Sequence, residues 1–168
     1  MKLFVSLITA LFLDLYTITS HSVDGIEISM PISCFISEVG SRRDILQDTI
    51  TLEGNDYTIF KVYQNGTTLY SVEPECHDTV CTVWRIRVHD NRFKTRKGIS
   101  TGSTLGDLLD TYTFRMLSTE SDIGIAVFVN EIEVTFFLDS SGIPQDWWFN
   151  PDIENLCPER KIKMIMIT

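Results

Sequence analysis

The sequence predicts an α+β fold. Two tandem units, each a short helix with three or four strands, build one antiparallel sheet and place the helices on one face. Three observations carry this expectation: a ten-residue segment that recurs, short polar turns between β-rich runs in both halves, and a closing strand that is apolar on one side only. The 168 residues leave room for one domain or two very small ones, and 43% hydrophobic with 22% charged residues excludes disordered and multi-span membrane classes. A net charge of −9 argues against general binding to nucleic acid or anionic lipid.

Residues 1–22 read as a secretory signal peptide. Lys2 precedes an apolar run over residues 3–13, too short for the roughly 20 residues a membrane span needs. Ser20 and Ser22 are small residues suited to a cut before Val23, with a cut after Ser20 as the alternative. The expected product, residues 23–168, is a single periplasmic or extracellular domain with no membrane span, divided into repeats at about 25–83 and 84–168. Its four cysteines point to disulfides in an oxidising compartment. Cys76 and Cys81 close a short loop, and Cys34 with Cys157 would tie the two ends together. Three pairings are open to four cysteines. A metal site at Cys76, His77 and Cys81 lacks the paired spacing of structural zinc, and no cofactor is expected.

The recurring segments are GSRRDILQDT at 40–49 and GSTLGDLLDT at 102–111. Both are expected to be short helices. In the second, Thr104 and Asp107 form a T-x-x-D capping box, and Leu105, Leu108 and Leu109 share a face. In the first, Ser41 or Asp44 would cap while Ile45 and Leu46 point inward. Gly106 inside so short a helix costs about 1 kcal/mol relative to alanine. A strand over residues 26–30 is expected ahead of the first helix. After the first segment, DYTIFKVY and TTLYSV flank Asn65-Gly66, the strongest short hairpin signal. This turn is also a glycosylation sequon with Thr67. After the second, DIGIAVFV and IEVTFFLD flank Asn130-Glu131. Each half closes on a strand with alternating cations, Arg85 and Arg87 in one, Lys161 and Lys163 in the other. Two short helices cannot cover both faces of a seven- or eight-stranded sheet, so one face should stay open.

Charge segregation is the clearest functional signal. Arg85, Arg87, Arg92, Lys94, Arg96 and Lys97 place six of the 14 basic residues between positions 85 and 97, with Asp90 the single acid among them. Strand alternation puts Arg85, Arg87, Lys161 and Lys163 on the open face as a basic stripe, suited to an acidic protein or an anionic ligand. The competing reading is a solvated strand whose cations pair locally or guard against edge aggregation. Residues 97–104, KGISTGST, lack the spacing of a nucleotide-binding loop. Ser100, Thr101 and Ser103 beside Arg96 and Lys97 would suit an anion, although a tight strand-to-helix turn accounts for them more simply. The irregular stretch 139–158 carries Trp147, Trp148 and Phe149 in succession, either as a recognition loop or as a plug over the sheet. His21, His77 and His89 form no known catalytic motif, and the acids Asp107 and Asp110 fit helix capping better than acid–base chemistry.

Two tandem helix-and-sheet units with a leader and disulfides resemble the β-lactamase-inhibitor-protein-like architecture. The turn Gly102-Ser103-Thr104 ahead of Asp107 is similar to the helix start of the small outer-membrane-assembly lipoproteins. The resemblance covers residues 23–168 in outline, on a motif of about ten residues, and this chain lacks that lipoprotein family's lipidated cysteine. Residues 94–108 also resemble segments of uncharacterised envelope proteins. What the resemblance implies is a binding scaffold with an open sheet face, with no target attached. The expected function is therefore an exported, non-catalytic binding protein using its basic sheet face and the Trp147–Trp148 loop. The alternative is a small exported hydrolase built around His89 or His77.

Overall fold

The computed structural model describes residues 15–52, 54–120 and 124–168. Among the described residues, three two-residue strands precede the helices and the principal sheet: β1 (Thr17–Ile18), β2 (Ser22–Val23) and β3 (Ile26–Glu27). Helix α1 (Ile32–Gly40) precedes β4 (Asp44–Leu52), β5 (Asn55–Gln64), β6 (Thr67–His77) and β7 (Val80–Val88). After the short β8 (Lys94–Thr95), helix α2 (Leu105–Thr111) precedes β9 (Phe114–Glu120), β10 (Gly124–Val129), β11 (Thr135–Leu138) and β12 (Ile162–Ile167). The principal sheet has eight strands in the order β4-β5-β6-β7-β12-β11-β10-β9. All its neighbours run antiparallel, so two meanders meet along β7 and β12, where Ile86, Arg87 and Val88 face Ile167, Met166 and Ile165.

One hydrophobic core contains Phe35 and Val39 of α1, Leu105 and Leu108 of α2, and residues from both meanders such as Val62, Val72, Ile86, Val127, Phe136 and Ile165. Both helices therefore cover the same face of the sheet. The opposite face carries a separate small cluster of Ala126, Phe137 and Met164 with Phe128 and Met166 against it.

The first recurring segment is not a helix. Residues 44–49 lie in β4 and pair with residues 58–63 of β5. Thr49, Ile50 and Thr51 favour extended backbone through their β-branched side chains, and the ladder along β5 outweighs the helix-like start. The helix lies just upstream, where Pro31 (φ −56°) opens it and Ile32, Phe35 and Val39 supply the buried stripe. The second segment is the expected helix: Thr104 accepts from Asp107 N–H at 3.0 Å while the Asp107 carboxylate accepts from Thr104 N–H at 2.8 Å. Leu109 remains 37% exposed, so Leu105 and Leu108 alone carry the seat of this helix. Asn65 and Gly66 both have positive φ (51° and 76°), as the two-residue hairpin between β5 and β6 requires. The strand expected over residues 26–30 shortens to β3, because Ser29 takes positive φ (70°) and turns the chain to hydrogen-bond β7 at Val83.

The folded body begins ahead of residue 23. β1 pairs in parallel with β8, Lys94 N–H donates to the Tyr16 carbonyl at 2.9 Å, and Ile18 is fully buried. The expected leader boundary at residue 22 thus falls inside the folded body, while residues 1–14 of that leader lie outside the described residues. Cys76 and Cys81 are disulfide-bonded across the β6–β7 hairpin. Cys34, in the first turn of α1, and Cys157, ahead of β12, are exposed free thiols, so the expected bridge between the chain's ends is not formed. The first meander is already fastened by a different contact, through the buried Asp24. Its carboxylate accepts from Arg42, from Arg43 Nε at 3.4 Å and from the Tyr70 hydroxyl at 2.7 Å.

Candidate functional site: the open face of the sheet

Cross-strand register lays one residue per strand in a row across the face away from the helices. From β9 to β4 the row reads Met116, Phe128, Thr135, Met166, Arg87, Ser71, Lys61 and Leu46. It is apolar on the β9–β12 side and polar across β5–β7. Met116 at one end is 44% exposed and Leu46 at the other 53% exposed, so both rims of the row are apolar and open. Beside it run Ala126, Phe137 and Met164, packed closely enough with Phe128 and Met166 to be buried. β12 reads IKMIMI and is apolar towards both faces: Ile165 and Ile167 point to the helices, Met164 and Met166 away from them. Such a two-sided strand signals apolar neighbours on both sides.

The polar half is organised by Glu73, which is 7% exposed and faces Arg85 in register. Its carboxylate meets Arg87 Nε at 2.6 Å and Arg85 Nη1 at 3.1 Å. Arg85 also stacks over the Trp84 ring at 3.9 Å. Burial lowers the pKa of Arg87 from its ordinary value, opposed by Glu73 and assisted by the adjacent Arg85 charge. Two guanidiniums against one carboxylate leave this half with one uncompensated positive charge. Farther out, Lys61 pairs with Asp48 at 2.6 Å. Burial and then the Arg87 charge lower the pKa of His89, which favours the neutral imidazole. The Ser71 hydroxyl lies 3.4 Å from its Nε2, a long contact, and Glu73 serves the arginines and not the imidazole, so no relay is assembled.

The expected four-cation stripe is not formed. A register shift between Phe137 and Leu138 sets Ile162 and Met164 against β11 and displaces Lys163 from the regular ladder. Lys163 pairs with Asp139 at 2.8 Å, an interaction that, with the Ser141 amide, pulls the Asp139 carboxyl down to about 2. Lys161 lies in a bridge to Thr104 at the start of α2. Met164 and Met166 occupy the places where the stripe would continue. The remaining cations disperse as well. Arg92 binds Asp90 and Gln64, both at 2.8 Å, and Lys94 belongs to β8. Lys97 reaches the Thr111 carbonyl at 3.1 Å and lies over the Tyr112 ring at 4.7 Å.

Two concavities lie away from the row across the open face, and none of its residues lines them. Residues 17–25, Arg96, Lys97, Tyr112 and Glu131 line one of about 690 Å³. A second, of about 530 Å³, brings Arg92 and Lys94, not Arg96 and Lys97, to Ser100, Thr101 and Ser103. The hydroxyls there are already engaged: Ser103 accepts from Ser100 N–H at 3.2 Å within the turn, and Thr101 donates to the His89 carbonyl at 3.2 Å just beyond β7. This is the packed-turn reading of the segment.

The aromatic loop divides as a plug. Trp147 is buried in the helix-side core and donates its indole N–H to the Asp152 carbonyl at 3.0 Å. Trp148 packs edge-on against it at 5.4 Å, while Phe149 is 84% exposed. The expected recognition pair Trp147 and Trp148 is therefore largely core. The apolar members of the open face occupy positions that the strand alternation of the cations does not predict, and the MIM and TFF runs are the signal in the sequence that carries them.

No family model matches this chain, and no curated protein matches it. Its fold is similar to that of a solved structure, the uncharacterized protein yfeY from Escherichia coli, with a TM-score of 0.67 over 90% of this chain and 98% of that one, at 15% identity, a likeness of fold alone.

Proposed function

We propose that the protein is an exported, non-catalytic binding protein that seats a protein partner on the open sheet face. The observation that carries this reading is the row from Met116 to Leu46, in which an apolar half adjoins a polar half with residual positive charge. A complementary partner presents an apolar surface bordered by a carboxylate, a narrower form of the acidic partner proposed from the sequence. The finer architecture belongs to the same proposal: two copies of a helix-plus-four-strand unit, joined at β7 and β12, with the palindromic strand order as support. The resemblance to the β-lactamase-inhibitor-protein-like scaffold implies the same open face. The disulfide between Cys76 and Cys81 supports an oxidising compartment, and no helix among the described residues is long and apolar enough to cross a membrane.

The test is crosslinking capture from the native envelope with wild type, Met166→Glu and Phe149→Ser. Met166 stands beside Arg87, so a glutamate there can pair with it and leave the fold intact while neutralising the face. Capture is expected to be lost in Met166→Glu and kept in Phe149→Ser. Equal capture by all three proteins would remove the open face from the proposal.

A further inference from the structure

We infer that residues 16–22 are retained in the mature protein and that the chain is not cut after Ser20 or Ser22. This rests on the reading of the protein as exported. The two serines are the most suitable small residues by sequence, yet each lies beyond side chains that the fold uses. Ile18 is fully buried in the same core as Phe93 and Tyr70. The Tyr16 ring packs on Phe93 at 5.3 Å, its hydroxyl accepts from Arg43 Nη2 at 3.4 Å, and the Arg43 guanidinium lies over the ring at 5.7 Å.

Backbone bonds tie the segment from both ends. Lys94 N–H donates to the Tyr16 carbonyl, β1 pairs with β8, and Thr19 N–H donates to the Ser22 carbonyl at 3.0 Å. Ser20 itself accepts from Glu133 N–H at 3.1 Å, linking the segment to the second meander. Leader peptidases act on unfolded chains, so these contacts do not shield the serines from cutting. They determine instead what a cut there would leave: a body without Ile18, with a void beside Phe93 and with β8 unpaired on that side. The same segment is also one wall of the 690 Å³ concavity, which would lose its boundary.

Two measurements test the inference. The first is intact mass and N-terminal sequencing of the protein recovered from its native host. A terminus at or ahead of Tyr16 is expected. A terminus at Met1 would keep the inference and remove the cleaved leader from the export reading, whereas a terminus at His21 or Val23 would overturn the inference. The second compares thermal unfolding of proteins beginning at Leu15 and at Val23, with Ile18→Ala in the longer form as a milder probe. Ile18→Ala is expected to lower Tm by about 10 °C, as loss of a buried isoleucine from a domain of this size does, and the Val23 form by more. Equal Tm for the Leu15 and Val23 forms would also overturn it.

Discussion

At Asp24 a single carboxylate holds several parts of the chain together. It is fully buried, sits at φ 56°, and binds Arg42 and Arg43 from the turn after α1 and the Tyr70 hydroxyl from β6. Burial, followed by the Asp24 charge and hydrogen bond, drives the Tyr70 phenol far above its ordinary pKa, so it stays a donor at any working pH. Replacing Asp24 with alanine strands Arg43, whose side chain is 6% exposed, and should cost about 3–5 kcal/mol in a urea titration. His89 gives a second prediction. Its folded pKa lies below the unfolded value, so below about pH 6.5 the unfolded chain takes up a proton that the folded chain resists. Stability should therefore fall as pH drops from about 7.5 to 5.5, and urea midpoints of His89→Gln should show a smaller fall over that window. Neither Asp24 nor its arginines stood out in the sequence, because a buried ion pair between residues 18 positions apart leaves no periodic trace.

The elements were legible where local chemistry and tertiary packing agree. The Thr104–Asp107 capping box, the Asn65-Gly66 hairpin and the Cys76–Cys81 closure are each decided within a few residues, and each is present. Residues 40–49 were misleading because their likeness to α2 is a likeness of turn residues, while pairing with β5 is decided at a distance. Lys161 and Lys163 were misplaced by a bulge, since one register shift reverses the facing of every residue beyond it. Helix α2 offers a matched pair of substitutions. An added Cβ at Gly106 would meet Pro158 at 3.4–3.5 Å, ordinary contact distance, so Gly106→Ala should stabilise by about 0.5–1 kcal/mol through helix propensity. Thr104→Ala removes the cap and should destabilise by about 1 kcal/mol. Denaturant midpoints of the two variants should move in opposite directions; a shared direction would mean that α2 is governed by its contacts alone.

Across the whole molecule, one-sided coverage follows from counting two short helices against seven or eight expected strands; the sheet has eight, and both helices lie in one core. The character of the uncovered side did not follow, because it depends on which residues register brings side by side. Arg87 reads as a free cation in sequence and becomes half of a clasp on Glu73, with a methionine as its other neighbour. The two meanders meet through three registered pairs, and β12 supplies all the second meander's contribution to that seam. A chain ending before Ile162 should leave β7 and β11 as bare edges and partition into the insoluble fraction, and a soluble monomer of that length would show the halves to be independent.

The order in which the strands emerge during synthesis gives this arrangement a kinetic side. β7 is complete at Val88, whereas the strand that will lie against it begins only at Ile162 and ends at Ile167, so its inner hydrogen-bonding groups must wait through the synthesis of an entire second meander. During synthesis that margin is the place where a chaperone, or a neighbouring nascent chain, would compete with β12 for the same ladder.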